Sequence, residues 1–364
     1  MSLENPLRVV LAGAGSMGRA WRDTIEAAPD VELAGIADID PATAQAAADA
    51  LGRPVPVGTD VVALASETGA RAVVDATVPE AHHPVTTAAL FAGLDVLGEK
   101  PVAETVAQAL SLAAASEVTG RLFMVSQSRR WNPQLFALRA MADHLGAVGT
   151  LTTEFFRAPR FGGFRDEMAH PLLVDMAIHA FDSARFLLGA EPVSAYCEAY
   201  NPPWSWYAGA AAAVATFEME GGIRYAYTGS WCSPGAETSW NGVWRVSGEK
   251  GSARWDGDHE PVLDADGTGI EVPRSPYDGI EGALLVFTDA LRTGDPPMGE
   301  VHENVLSLAM VEAAVRSADT GERVQLDDVL AAAHAEALRT ETHPDVRDAL
   351  ASWPSVRDVL TAAR

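Results

Sequence analysis

Apolar residues in the first third of the chain come in short unbroken runs, separated by longer helix-prone stretches. Residues 7–12 (LRVVLA) lead straight into glycines, and residues 31–37 end at Asp38. Further runs occupy 71–76, 95–97 and 122–126. Between and after them, residues 17–28, 41–51, 81–92 and 104–119 have helical composition, with Pro41 suited to a first helical turn. A strand buried on both faces needs no polar alternation, so this pattern predicts a parallel, doubly wound α/β sheet.

After about residue 128 the rhythm changes. Residues 133–145 predict a helix. Residues 171–188 predict a stronger one, opened by Pro171 and closed by Gly189. From 193 to 272 come runs such as 211–218, 223–230 and 244–247, with a turn at Gly221-Gly222 and no regular intervening helix. That is the pattern of an α+β domain with a large, mostly antiparallel, open-faced sheet. Residues 280–292 and 305–320 return to helix, and the Ala-rich tail is helical too. The expected domains are 1–128, 129–327 and a C-terminal extension, 328–364.

Composition narrows the class. A chain of 364 residues, 48% hydrophobic, can bury two cores. No run of about 20 apolar residues suggests a membrane span, and residues 1–8 lack the basic and apolar regions of a signal peptide. A formal net charge of −24 argues against nucleic-acid or anionic-lipid partners. Cys197 and Cys232 read as free thiols of a cytoplasmic protein.

Gly13-Ala14-Gly15-Ser16-Met17-Gly18 is a G-x-G-x-x-G loop placed between an apolar run and a helix. In that context Gly13 permits the tight turn, Gly15 lets a pyrophosphate approach the backbone, and Gly18 lets the helix pack on the sheet. Free N–H groups at the helix start, Ser16 and Met17 among them, attract phosphate. Asp38 lies twenty residues beyond Gly18, where a carboxylate accepts from ribose hydroxyls and repels a 2′-phosphate, favouring NAD over NADP. A capping role competes for Asp38, and Asp40 competes for that cap. Arg19 reads as a residue of the first helical turn.

Two further groups carry chemistry. Glu99-Lys100-Pro101 follows the 95–97 run, and ligands bind beyond the carboxyl ends of such strands. Asp175 and His179 stand four apart on the 171–188 helix, with Asp182 three further on. Hydride transfer at a carbinol carbon needs a matching proton transfer on oxygen, and imidazole suits it near neutral pH. A lysine ammonium would polarise that oxygen. A structural His–Asp pair is the competing view. A metal set of His170, Asp175 and His179 matches no strong signature, and no metal is expected.

With these motifs in this order, the chain resembles the glucose–fructose oxidoreductase / inositol dehydrogenase / rhizopine catabolism (Gfo/Idh/MocA) family from Arg8 to about Leu326. The resemblance rests on GAGSMG at 13–18, residues 77–82, EKP at 99–101, Asp175-x-x-x-His179, and VSGEKGSARW at 246–255. It implies a Rossmann domain followed by an α+β domain whose open sheet makes dimer or tetramer contacts. It implies Lys100 as a catalytic lysine with a cis bond to Pro101, and His179 as general acid/base oriented or tuned by Asp175. Thr77, His82, Glu99 and Lys100 would lie along the cofactor. Val78 and Pro79 depart from the family's usual proline and asparagine. Ala169-His170-Pro171 and Phe164-Arg165 replace a Gly-rich run and a Trp-Arg pair, which makes Arg165 and His170 candidate substrate contacts. The implied function is NAD-dependent hydride transfer at a sugar, inositol or related polyol. A redox-neutral NAD-dependent glycoside hydrolase or lyase, and a non-catalytic dinucleotide sensor, are the alternatives.

Overall fold

The computed structural model describes residues 6–265, 275 and 277–362. The last part of the strand-rich stretch, 266–272, lies outside them. The chain divides into two compact units. The first comprises Met1–Ser128, Ile280–Val305 and Ala332–Arg364; the second comprises Arg129–Gly279 and Leu306–Ala331.

In the first unit, β1 (Leu7–Ala12), β2 (Val31–Ala37), β3 (Val57–Gly58), β4 (Ala72–Asp75), β5 (Asp95–Glu99) and β6 (Phe123–Ser126) form one parallel sheet in the order β3-β2-β1-β4-β5-β6. Helices such as Ser16–Ala27 and Pro79–Phe91 connect its strands. Val9, Val10, Leu11, Val73 and Leu97 have no exposed surface, as expected of strands covered on both faces. The strand order reverses between β1 and β4, and a doubly wound sheet binds ligand outside the strand ends at that switch. The two-residue β3 is too short to show in the hydrophobic pattern.

The C-terminal helices in this unit have a defined seat. Pro344–Ser352 packs on Val106–Thr119 and buries Val346 and Leu350. Polar pins add to it: Ser111 donates to Glu341, and Trp353 Nε1 donates to Glu117 at 3.0 Å. His302 sits between Glu117 and Glu300, at 2.9 and 2.8 Å.

The second unit holds an eight-stranded sheet. Its strands are β7 (Val148–Phe156), β8 (Pro192–Tyr200), β9 (Ala212–Met219), β10 (Arg224–Ser230), β11 (Val243–Gly248), β12 (Gly251–Trp255), β13 (Val262–Ala265) and β14 (Val324–Gln325), in the order β13-β12-β11-β7-β10-β9-β8-β14. Every pairing is antiparallel except β7 with β10. The mixed α/β architecture is therefore as expected. Phe181 anchors a helix to one face of the sheet, 4.8 Å from Phe217 and 5.4 Å from Tyr227. Tyr200, Val214 and Val262 are exposed.

The helix expected over 171–188 has two parts. Leu172–Ala177 is π-helical and Ile178–Leu188 is α-helical, ended by Gly189 in the left-handed conformation. Asp175 and His179 therefore straddle a change of helical pitch, and their spacing is not that of a plain α-helical face.

Candidate active site

The glycine loop follows β1 directly. Gly13 has φ +86°, and a Cβ there would lie 2.6 Å from the Ala76 carbonyl oxygen. A Cβ on Gly18 would lie 2.0 Å from the Gly13 carbonyl oxygen. These two glycines are demanded by the protein's own backbone. Gly15 is different: a Cβ there meets nothing within 4 Å. No side chain caps the helix that Gly15 begins, and its first turn holds no acidic residue, so its amide end presents positive potential. The open space at Gly15 and the uncapped helix fit a dinucleotide pyrophosphate.

Asp38 follows β2 directly and turns toward this loop. Its Oδ2 accepts from Ala14 N at 2.7 Å and its Oδ1 from Asp40 N at 3.0 Å. The helical cap belongs to Asp40, which accepts from Ala42 N and Thr43 N. That leaves Asp38 the loop-facing carboxylate.

β4 ends in Asp75, which has no exposed surface. It accepts from Thr77 N, Thr77 Oγ1 and Thr86 Oγ1 at 3.1, 2.6 and 3.1 Å, which fixes the turn at Thr77. Burial raises its pKa despite these donors. His82 links the same turn to β5: Nδ1 lies 2.7 Å from the Pro101 carbonyl oxygen and Nε2 3.2 Å from that of Thr77. Glu99 is buried, accepts from Trp21 Nε1 at 2.9 Å and from Lys100 N at 3.2 Å, and burial raises its pKa. The Lys100–Pro101 bond is cis, and Lys100 is half-buried. Thr77, His82, Glu99 and Lys100 are thus one connected group. Sequence reasoning did not find Asp75, whose only signal was an acid ending an apolar run.

In the second unit, His179 is buried and Asp175 half-buried. Arg165 Nε donates to Asp175 Oδ2 at 2.5 Å. His170 Nε2 meets Asp319 Oδ1 at 3.0 Å. Asp182, expected near the face of His179, has another task. Arg130 Nε donates to it at 2.9 Å and Ser307 Oγ at 2.8 Å, and Arg185 joins Ser307 to Glu191 at 2.7 and 2.6 Å. This network is buried, and it braces the helix that carries His179. Arg129 was not anticipated either. It lines the same small cavity as His179, Met176 and Asn241. Burial depresses its guanidinium to about 10 against the attraction of Tyr227, and Arg157 depresses it further.

Comparison with known proteins decides the family. Residues 7–127 match the model described as the oxidoreductase family with an NAD-binding Rossmann fold, and residues 138–254 match the GFO/IDH/MocA C-terminal domain. The chain belongs to the Gfo/Idh/MocA family. It is an NAD-dependent oxidoreductase. The D-apiose dehydrogenase of Paraburkholderia graminis is 29% identical over 89% of this chain and 91% of its own length. The inositol 2-dehydrogenase of Rhizobium meliloti is 34% identical over 52% of this chain and 57% of its own. Among solved structures, GenD2 from gentamicin A biosynthesis, in complex with NAD, superposes with a TM-score of 0.73 at 25% identity. It covers 89% of this chain and 97% of that one. Among the described residues of this oxidoreductase, no helix is long and apolar enough to cross a membrane.

Proposed function

We propose that this Gfo/Idh/MocA oxidoreductase interconverts a carbinol and a carbonyl carbon of a sugar, inositol or related polyol. One observation carries the proposal: a chain with a dinucleotide loop also holds a buried imidazole, His179, four residues from a carboxylate that an arginine already fixes. The names of the relatives support the substrate class. Bound NAD supplies the hydride acceptor. His179 takes the hydroxyl proton as the carbon is oxidised and returns it in reduction. Asp175, held by Arg165, orients the substrate or the imidazole. The ammonium of Lys100 polarises the reacting oxygen and favours its deprotonated form. Gly15, Ser16 and Met17 hold the pyrophosphate on the turn that Gly13 and Gly18 permit, Asp38 holds the adenosine ribose, and the Thr77–His82 turn and Glu99 shape the path to Lys100. The enzyme works in the cytoplasm, in keeping with two buried free cysteines. It works as a homodimer or homotetramer, in keeping with the exposed apolar residues on its open sheet.

The test is Lys100→Ala beside His179→Asn. Each lowers kcat by roughly 10²–10⁴, while calorimetric NAD affinity stays within about threefold. Undiminished turnover in either variant removes that residue's role.

A further inference from the structure

The segment after β7 runs Arg157-Ala-Pro-Arg160-Phe-Gly-Gly-Phe-Arg165. Its arginines lie on aromatic faces. The guanidinium of Arg157 is 4.3 Å from the ring centre of Trp240, Arg160 is 4.0 Å from Trp206, and Arg165 is 4.7 Å from Phe164. Arg129 approaches the same Trp240 at 6.0 Å. The rings are continuous with one another: Phe161 contacts both Trp240 and Trp231, and Tyr207 contacts both Trp231 and Trp206. This surface adjoins the proposed proton carrier, because Arg129 and His179 line one cavity and Arg165 holds Asp175.

The chain has 26 basic and 50 acidic residues, and the segment 157–167 carries three arginines, Arg157, Arg160 and Arg165, against two acids, Asp166 and Glu167. Of the four arginines on this rim, two are neutralised, Arg165 by Asp175 and Arg157 by Glu237 at 2.8 Å. Among the described residues, Arg160 has no carboxylate partner and stacks on Trp206, while Arg129 meets the Met176 sulfur and Trp240 and is drawn to Asp175. Phe161, Phe164 and Trp240 remain exposed, a costly arrangement for a surface that recognises nothing. Arg157 spends its N–H groups on Glu237 and the Thr238 carbonyl, whereas Arg160, exposed and stacked on Trp206, keeps its N–H edge free and pre-oriented. That planar fork matches a carboxylate in two parallel hydrogen bonds. A sugar ring fits the apolar faces beside it.

We propose that this arginine–indole rim, through Arg160 on Trp206, binds the carboxylate of an acidic sugar, so that the substrate is a polyhydroxy carboxylate such as a uronate or aldonate. The proposal rests on the polyol-oxidoreductase function above and names its substrate class. Arg165, the arginine that the sequence singled out, is tied to Asp175.

The experiment measures kcat/KM with saturating NAD on matched sets: glucose, glucuronate and glucose 6-phosphate, then galactose and galacturonate, with gluconate as the open-chain acid. The acid is expected to exceed its neutral counterpart by about tenfold or more, and added salt is expected to shrink that ratio. In Arg160→Gln the ratio falls toward one through KM, and Arg160→Lys restores only part of it. Unfolding midpoints of the variants confirm that folding is intact. A neutral sugar that matches its acid, or a ratio unmoved by Arg160→Gln, overturns the proposal and leaves the oxidoreductase function standing. A phosphate ester that outruns the uronate overturns the carboxylate assignment. Tight NAD binding with no turnover of any polyol overturns the parent function and the proposal together.

Discussion

Arg165 donates through Nε to Asp175 Oδ2 at 2.5 Å, across ten residues of chain and the start of a π-helical segment. The carboxylate four residues before His179 is therefore not a free acid awaiting substrate. It is positioned beforehand by a cation.

That pairing makes the two residues one unit. Asp175→Asn lowers kcat by about 10²-fold and Arg165→Gln lowers kcat/KM by about tenfold, and the double variant is no worse than Asp175→Asn alone. Steady-state kinetics on the three variants checks this. Effects that multiply would mean that the residues act independently.

The glycines of the phosphate loop separate folding from binding. Gly18→Ala forces a Cβ to within 2.0 Å of the Gly13 carbonyl oxygen and costs about 2–4 kcal/mol of stability. Gly15→Ala meets no protein atom, keeps stability within about 0.5 kcal/mol, and weakens NAD binding about tenfold or more. Denaturant titration and calorimetry read the two quantities independently.

Much of the first unit was legible because parallel strands buried on both faces appear as unbroken apolar runs, as in LRVVLA. β7 was not read. Its sequence, VGTLTTEFF, alternates buried Leu151, Thr153 and Phe155 with Thr152 and Glu154, and an inward threonine weakens the apolar signal. The π-helical turn at Leu172–Ala177 leaves no trace either, because LLVDMA is equally apolar in an α-helix. The site motifs were legible where chemistry demands fixed spacing, as at Gly13–Gly18 and Lys100. The tasks of Asp75, Arg129 and Asp182 depend on partners far away in sequence, such as Ser307 for Asp182, and no spacing rule reports those.

Asp182 illustrates the difference between bracing and catalysis. Its partner Arg130 is 1% exposed, and removing the carboxylate takes two charge-assisted hydrogen bonds from a buried guanidinium. Asp182→Ala accordingly costs about 3–5 kcal/mol in chemical denaturation. A variant with native stability and lost turnover would instead put Asp182 in the chemistry.

His302 gives stability a pH dependence. Burial disfavours its charged form, but the carboxylates of Glu117 and Glu300 more than offset this and raise its pKa to about 9. A pKa raised in the folded state stabilises fully below the unfolded value near 6.5, and that contribution is lost as pH rises through about 9. Unfolding free energy should therefore fall between these limits by roughly 2–3 kcal/mol more in the native protein than in His302→Gln. Parallel curves for the two proteins would show that the imidazole stays neutral.

The most direct test of the central claim is NADH absorbance with a panel of sugars, inositols and sugar acids, run in parallel with NADP. NADH formed with one or a few polyols, and faster turnover with NAD than with NADP, is the predicted result. Silence across the panel while NAD binds tightly would contradict the dehydrogenase function, and faster turnover with NADP would contradict the role given to Asp38.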